Sequence, residues 1–228
     1  MRRAAFLFAL AVLLWSVTLY GEDKRSAAPA SAGVPENRWI LIELDMKRLT
    51  LYEGTSRIRQ YAIASGKWDM PSPIGSFVIH QRFKTEMSGF GTRFLGLNVP
   101  WGQYGIHGTN KPSSIGQNAS HGCIRLSVKD AEDLFSRVPI GTRVYIEGGA
   151  YGLLGDGLRT LRSGDRCSHV QLVQQRLRQM GYYAGNPDGI YGAETSRAVK
   201  AARKAFGLNA EDVVDAALYA KLGIRLFE

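Results

Sequence analysis

The chain has 228 residues, 45% hydrophobic and 21% charged, with two cysteines. That length can bury a real core in one large domain or two modest ones; the composition excludes wholesale disorder, collagen-like repeats and a multi-span membrane protein. Two cysteines exclude a disulfide-dense scaffold, and the net charge of +9 is spread along the chain without a basic tail, so nucleic acid is not an expected partner.

In chain order, Arg2 and Arg3 precede an uninterrupted apolar run, residues 4–20 (AAFLFALAVLLWSVTLY). A basic start followed by such a run predicts a signal peptide or membrane anchor over residues 1–21. An uncleaved anchor with the arginines inside is the expectation, because no small-x-small site follows the run directly. The partner at this end would be the membrane, and the remainder would be extracytoplasmic, anchored or secreted. Residues 22–37, with their small, polar SAAPASAG stretch, predict a flexible linker.

From residue 38 the pattern changes. Segments 39–44 (WILIEL), 48–52, 58–64, 76–80 and 143–146 are short and rich in β-branched and aromatic residues, with Gly, Pro, Asp or Ser between them, so they predict strands. One helix is predicted at 127–135, where Ser127 and Asp130 are spaced as a capping box. Residues 38–148 therefore form a mainly β domain, a largely antiparallel curled sheet or sandwich with one short helix. The glycine-rich 149–157 marks a linker. Beyond it the period becomes helical: 168–180, opened by Ser168 and Gln171, with Val170, Val173, Leu177 and Met180 on one face; 193–206, with Ala198, Ala202 and Phe206 at i+4; and a last helix capped by Asp215. Residues 158–228 thus predict a small all-α three-helix domain.

The chemistry concentrates in Ile106-His107-Gly108-Thr109 and Ser120-His121-Gly122-Cys123-Ile124-Arg125. A cysteine attacks as its thiolate, and a neighbouring imidazole or cation promotes that form. Gly122 permits close backbone approach beside Cys123, where amides can face a developing oxyanion. Arg125 shares a face with Cys123 if the segment is extended. The residues alone leave three other readings open: a structural cysteine beside core histidines, a zinc site from His107, His121 and Cys123, and a Cys123–Cys167 disulfide. His80 and His169 stand apart as structural or surface residues.

His107-Gly108-Thr109-Asn110 and Ser120-His121-Gly122-Cys123-Ile124-Arg125, with Met70-Pro71-Ser72-Pro73-Ile74-Gly75-Ser76-Phe77 upstream, resemble the signature of the L,D-transpeptidase (YkuD-type) catalytic domain. The resemblance implies a β-rich cysteine acyltransferase acting on peptidoglycan stem peptides. Cys123 would be the nucleophile and His107 the general base and acid. The Gly108 carbonyl would orient the imidazole, and His121 would brace the site by hydrogen bonding. The amides of Gly122 and Cys123 would bind the oxyanion, and Ser120 and Arg125 would support or contact substrate. No metal or organic cofactor is implied. Leu161-Arg162-Ser163-Gly164-Asp165 and Asp188-Gly189-Ile190-Tyr191-Gly192 resemble the three-helix peptidoglycan-binding domain, making peptidoglycan the expected partner. An L,D-carboxypeptidase or a non-catalytic wall-binding protein are the alternatives.

Overall fold

The structure, a computed structural model, describes residues 37–86, 89–149, 152–155 and 157–226. The segment expected to be a signal or anchor, and nearly all of the expected 22–37 linker, lie outside the described residues. Among the described residues no helix is long and apolar enough to cross a membrane.

Among the described residues, ten strands and one α-helix make the first domain: β1 (Arg38–Glu43), β2 (Arg48–Glu53), β3 (Ser56–Ala62), β4 (Ser65–Gly66), β5 (Gly75–Lys84), β6 (Arg93–Leu97), β7 (Tyr104–Thr109), β8 (Asn118–Ser120), β9 (Ile124–Ser127), α1 (Val128–Arg137) and β10 (Arg143–Glu147). Eight of them form one sheet in the order β3-β2-β1-β10-β5-β6-β7-β9, and β4 pairs with β8 apart from it. The long β5 joins the two halves: residues 75–78 pair with β10, and 79–84 pair with β6 past an irregularity at Ile79/Gln81. A strand shared in this way curls the sheet.

The expected antiparallel arrangement holds for most ladders but not for three. β1 runs parallel to β10, β7 to β9, and β4 to β8. All three follow from connectivity, because parallel neighbours need a crossover: β8 lies between β7 and β9 in the chain, β5 to β7 between β4 and β8, and most of the domain between β1 and β10. Helix α1 begins as its sequence predicts: Ser127 Oγ accepts from the Asp130 amide at 3.1 Å. Its Ala131 and Leu134 join Ile106, Ile124, Leu126 and Val138 in a core that continues through Ile40, Ile42, Leu49 and Leu51.

The second domain contains β11 (Leu161–Arg162), α2 (Ser168–Gln179), α3 (Ala193–Ala205), β12 (Val213–Val214) and α4 (Ala216–Lys221). The three helices match the periodicity, and β11 and β12 add a two-stranded ladder that two-residue strands could not announce in sequence. Val170, Val173, Leu177, Ala198 and Ala202 are buried together, and Asp215 caps α4 by accepting from the Leu218 amide at 2.9 Å. Two details differ. Met180 lies past the end of α2 and is 42% exposed. Ser168 does not cap α2; Cys167 occupies that position, and the Ser168 hydroxyl instead accepts from the Ile74 amide of the first domain at 2.7 Å.

Candidate active site

The site lies on the face of β7 and β9 turned away from the core. Ile106 pairs with Ile124 and Gly108 with Leu126, while His107 pairs with Arg125. Side chains alternate along a strand, so Ile106, Ile124 and Leu126 enter the core and His107 and Arg125 emerge together on the opposite face. Cys123, one residue before β9, continues that face and takes a hydrogen bond from the backbone of Gly105. Cys123 thus stands two positions before Arg125, the residue that pairs with His107 across the β7–β9 ladder. Across the preceding strand, Phe94 stacks on the His107 ring with centroids 5.9 Å apart, and Phe90 meets it edge-on at 4.9 Å.

His107 is 3% exposed, and its Nδ1 lies 2.6 Å from the Gly108 carbonyl oxygen. A carbonyl only accepts, so Nδ1 carries the proton and Nε2 keeps its lone pair. Burial pushes the imidazole pKa down; the Gly108 carbonyl opposes this, and the Arg125 cation adds to it. Burial likewise pushes the Cys123 thiol up, against the Gly105 hydrogen bond and the Arg125 charge. Both displacements favour a neutral thiol beside a neutral imidazole, so a thiolate standing ionised at rest is not what this burial supports. Arg125 donates to the Ala119 carbonyl through Nη1 at 3.3 Å, while its Nε is buried without a hydrogen-bond partner.

The turn before Cys123 is held internally. Ser120 is fully buried; its hydroxyl donates to the Cys123 carbonyl at 2.6 Å and accepts from the Gly122 amide at 3.0 Å. The Ser120 hydroxyl, expected to support or contact substrate, and the Gly122 amide, expected to face an oxyanion, are both hydrogen-bonded within the turn. Gly122 has φ +104°, and a Cβ there would stand 2.5 Å from Tyr104 Cε1 and 3.1 Å from the Pro71 carbonyl oxygen. This position demands glycine on both counts. His121, expected to brace the site by hydrogen bonding, is exposed on the turn, and the hydrogen bonds that hold Ser120, Gly122 and His107 do not use it.

Of the three other readings, the disulfide and the zinc site lack the geometry they need among the described residues. Cys123 and Cys167 are both free thiols. Among the described residues, no three His, Cys, Asp or Glu side chains gather as a metal-binding group. His80 is exposed, whereas His169 is buried with Nε2 2.8 Å from the Gly157 carbonyl oxygen. Tyr104, Phe90 and Phe94 escaped the sequence reading.

Residues 37–146 match the family described as "L,D-transpeptidase catalytic domain", and residues 168–222 match the one described as "Putative peptidoglycan binding domain". The chain is 45% identical over 107 residues to the protein named "Putative L,D-transpeptidase YkuD" of Bacillus licheniformis, covering 47% of this chain and 64% of that protein. Its namesake in Bacillus subtilis is 43% identical over 107 residues with the same coverage. "Putative L,D-transpeptidase YqjB" of Bacillus subtilis is 36% identical over 101 residues, 38% of this chain and 57% of that protein. The chain spans less than two thirds of the length of these curated relatives. The face of Cys123, His107 and Arg125 thus lies within the stretch that matches the L,D-transpeptidase catalytic-domain model, and a separate stretch of the same chain matches the peptidoglycan-binding model.

Proposed function

We propose that the protein is an extracytoplasmic, cysteine-dependent L,D-transpeptidase that crosslinks peptidoglycan. The observation that carries this reading is the common face of Cys123 and His107, with the imidazole tautomer held by the Gly108 carbonyl. His107 Nε2 takes the thiol proton as Cys123 attacks the amide carbonyl that follows the third residue of a tetrapeptide stem. The Cys123 amide is the candidate donor to the oxyanion, and the Arg125 charge favours the developing thiolate. The C–N bond breaks, D-Ala leaves with the proton from the imidazolium, and a thioester remains on Cys123. An amine of another stem then attacks the thioester, loses its proton to His107, and the thiol is restored. The same architecture supports an address outside the cytoplasm, with the segment 1–21 as signal or anchor and the helical domain holding the enzyme on the wall.

The test incubates the purified chain with tetrapeptide muropeptides and separates products by mass. Free D-Ala together with crosslinked dimers, both lost in Cys123→Ala, is the expected result. Tripeptides without dimers would mean water is the acceptor and the enzyme is an L,D-carboxypeptidase. Turnover surviving in Cys123→Ala would overturn the cysteine mechanism.

A further inference from the structure

Residues 67–74 run between the helical domain and the Cys123 turn and are tied to both. At the helical side, the buried Ser168 hydroxyl accepts from the Ile74 amide at 2.7 Å. The Arg159 guanidinium lies over the Trp68 ring, 4.7 Å from its centroid, and donates to the Trp68 carbonyl. At the catalytic side, the Lys67 amide donates to the Ser120 carbonyl at 3.0 Å, and the Pro71 carbonyl faces Gly122. Between these ends the segment is closed on itself: the buried Ser72 hydroxyl accepts from the Gly66 amide at 2.9 Å, and a Cβ on Gly66 would stand 2.3 Å from the Met70 carbonyl oxygen. A segment packed this tightly transmits displacement rather than absorbing it. Ser120 in turn holds the Gly122 amide and the Cys123 carbonyl.

We infer that Ser168 of the helical domain is a positioning residue for the Cys123 turn, acting through segment 67–74. The inference rests on Cys123 being the nucleophile. It makes the helical domain a structural part of the catalytic centre as well as an attachment to the wall. Removing the Ser168 hydroxyl leaves the buried Ile74 amide without its acceptor, and the segment gains freedom three residues from Pro71, whose carbonyl faces Gly122.

The experiment uses the full chain as wild type, Ser168→Ala, Ser168→Thr and Arg159→Ala. Turnover on tetrapeptide muropeptides gives kcat and KM. Iodoacetamide labelling, mapped to the Cys123 peptide so that Cys167 does not interfere, gives a thiol pH profile without any substrate. For Ser168→Ala, kcat falls about tenfold with KM within about twofold. Its Cys123 labelling midpoint moves down, because a looser turn admits water and relieves the burial that raises the thiol. Ser168→Thr, which keeps the acceptor, restores both, and Arg159→Ala shifts both the same way to a smaller extent. If Ser168→Ala lowers only the melting temperature, with kcat and labelling profile unchanged, Ser168 is ordinary domain packing and the inference is wrong. If wild type labels at Cys123 and the profile responds to Ser168→Ala, yet muropeptides are not turned over, the positioning stands and the proposed function fails.

Discussion

Replacing Gly122 by alanine asks the Cys123 turn to accept one methyl group. The backbone there holds φ +104°, where an L side chain costs about 1–2 kcal/mol. The new Cβ would also lie 2.5 Å from Tyr104 Cε1, inside contact distance, and relieving such overpacking costs about 1–3 kcal/mol. The sum is about 2–5 kcal/mol against a native stability of about 5–15 kcal/mol, which corresponds to a melting decrease of about 4–20 °C in a chain of this size. Urea unfolding followed by tryptophan fluorescence measures it, and the two contributions can be separated. Tyr104→Ala removes the ring that the methyl strikes, so in that background the steric share disappears and only the conformational share persists. The double-mutant cycle should show about 1–3 kcal/mol of favourable coupling. A Gly122→Ala protein within about 0.5 kcal/mol of wild type, or a cycle without coupling, would refute the account of this turn.

His107→Ala should lower kcat on tetrapeptide muropeptides by about 10²–10⁴, the usual contribution of a positioned proton carrier, while Cys123 still alkylates at alkaline pH because hydroxide can replace the base. In the pH profile of kcat/KM, the acid limb should fall below the ordinary imidazole value, since burial lowers the His107 pKa and keeps the ring neutral further into acid. Stability follows the same sign: below pH 6.5 the unfolded chain takes a proton that the buried ring refuses, so this contribution is present above that value and lost as pH falls through the window beneath it. The Cys123 labelling rate should keep rising beyond the ordinary thiol range, and an early plateau at neutral pH would contradict the buried, raised thiol. Gln174, fully buried, accepts from the Gly189 amide at 2.8 Å and donates toward Asp188 and Thr195 at 2.9 Å. Gln174→Leu should destabilise the helical domain by about 2–4 kcal/mol in urea unfolding, because those partners lose their bonds without gaining water; a change under about 0.5 kcal/mol would show that the cluster is dispensable.

How far the sequence could be followed depended on whether an element's signal was local. The helices were legible because their apolar period and caps sit within the element: Val170, Val173 and Leu177 in α2, Ser127 at the start of α1, Asp215 before α4. Strands β1, β2 and β10 were legible because alternating Ile, Leu, Val and aromatic residues fill them. Strands β6, β7 and β9, which carry the site, were not. They contain Gly96, Gly105, Gly108, His107 and Arg125, residues of low strand preference, kept extended by neighbours far along the chain. Ser168 illustrates the same limit, since its spacing to Gln171 suits a capping box, yet its hydroxyl serves an amide 94 residues away.

The amino-acid order by itself determined which side chains could do chemistry. His107, Cys123 and Arg125 stand out by residue type and spacing, and the family resemblance follows from those positions alone. Tertiary structure decided their state. The parallel pairing of β7 with β9 sets the imidazole and the thiol on one face, and burial shifts their proton affinities toward the neutral pair. The fold also diverts Ser120 and the Gly122 amide into the turn. Those outcomes depend on desolvation and on partners distant in sequence, and neither quantity is encoded in any local stretch of residues.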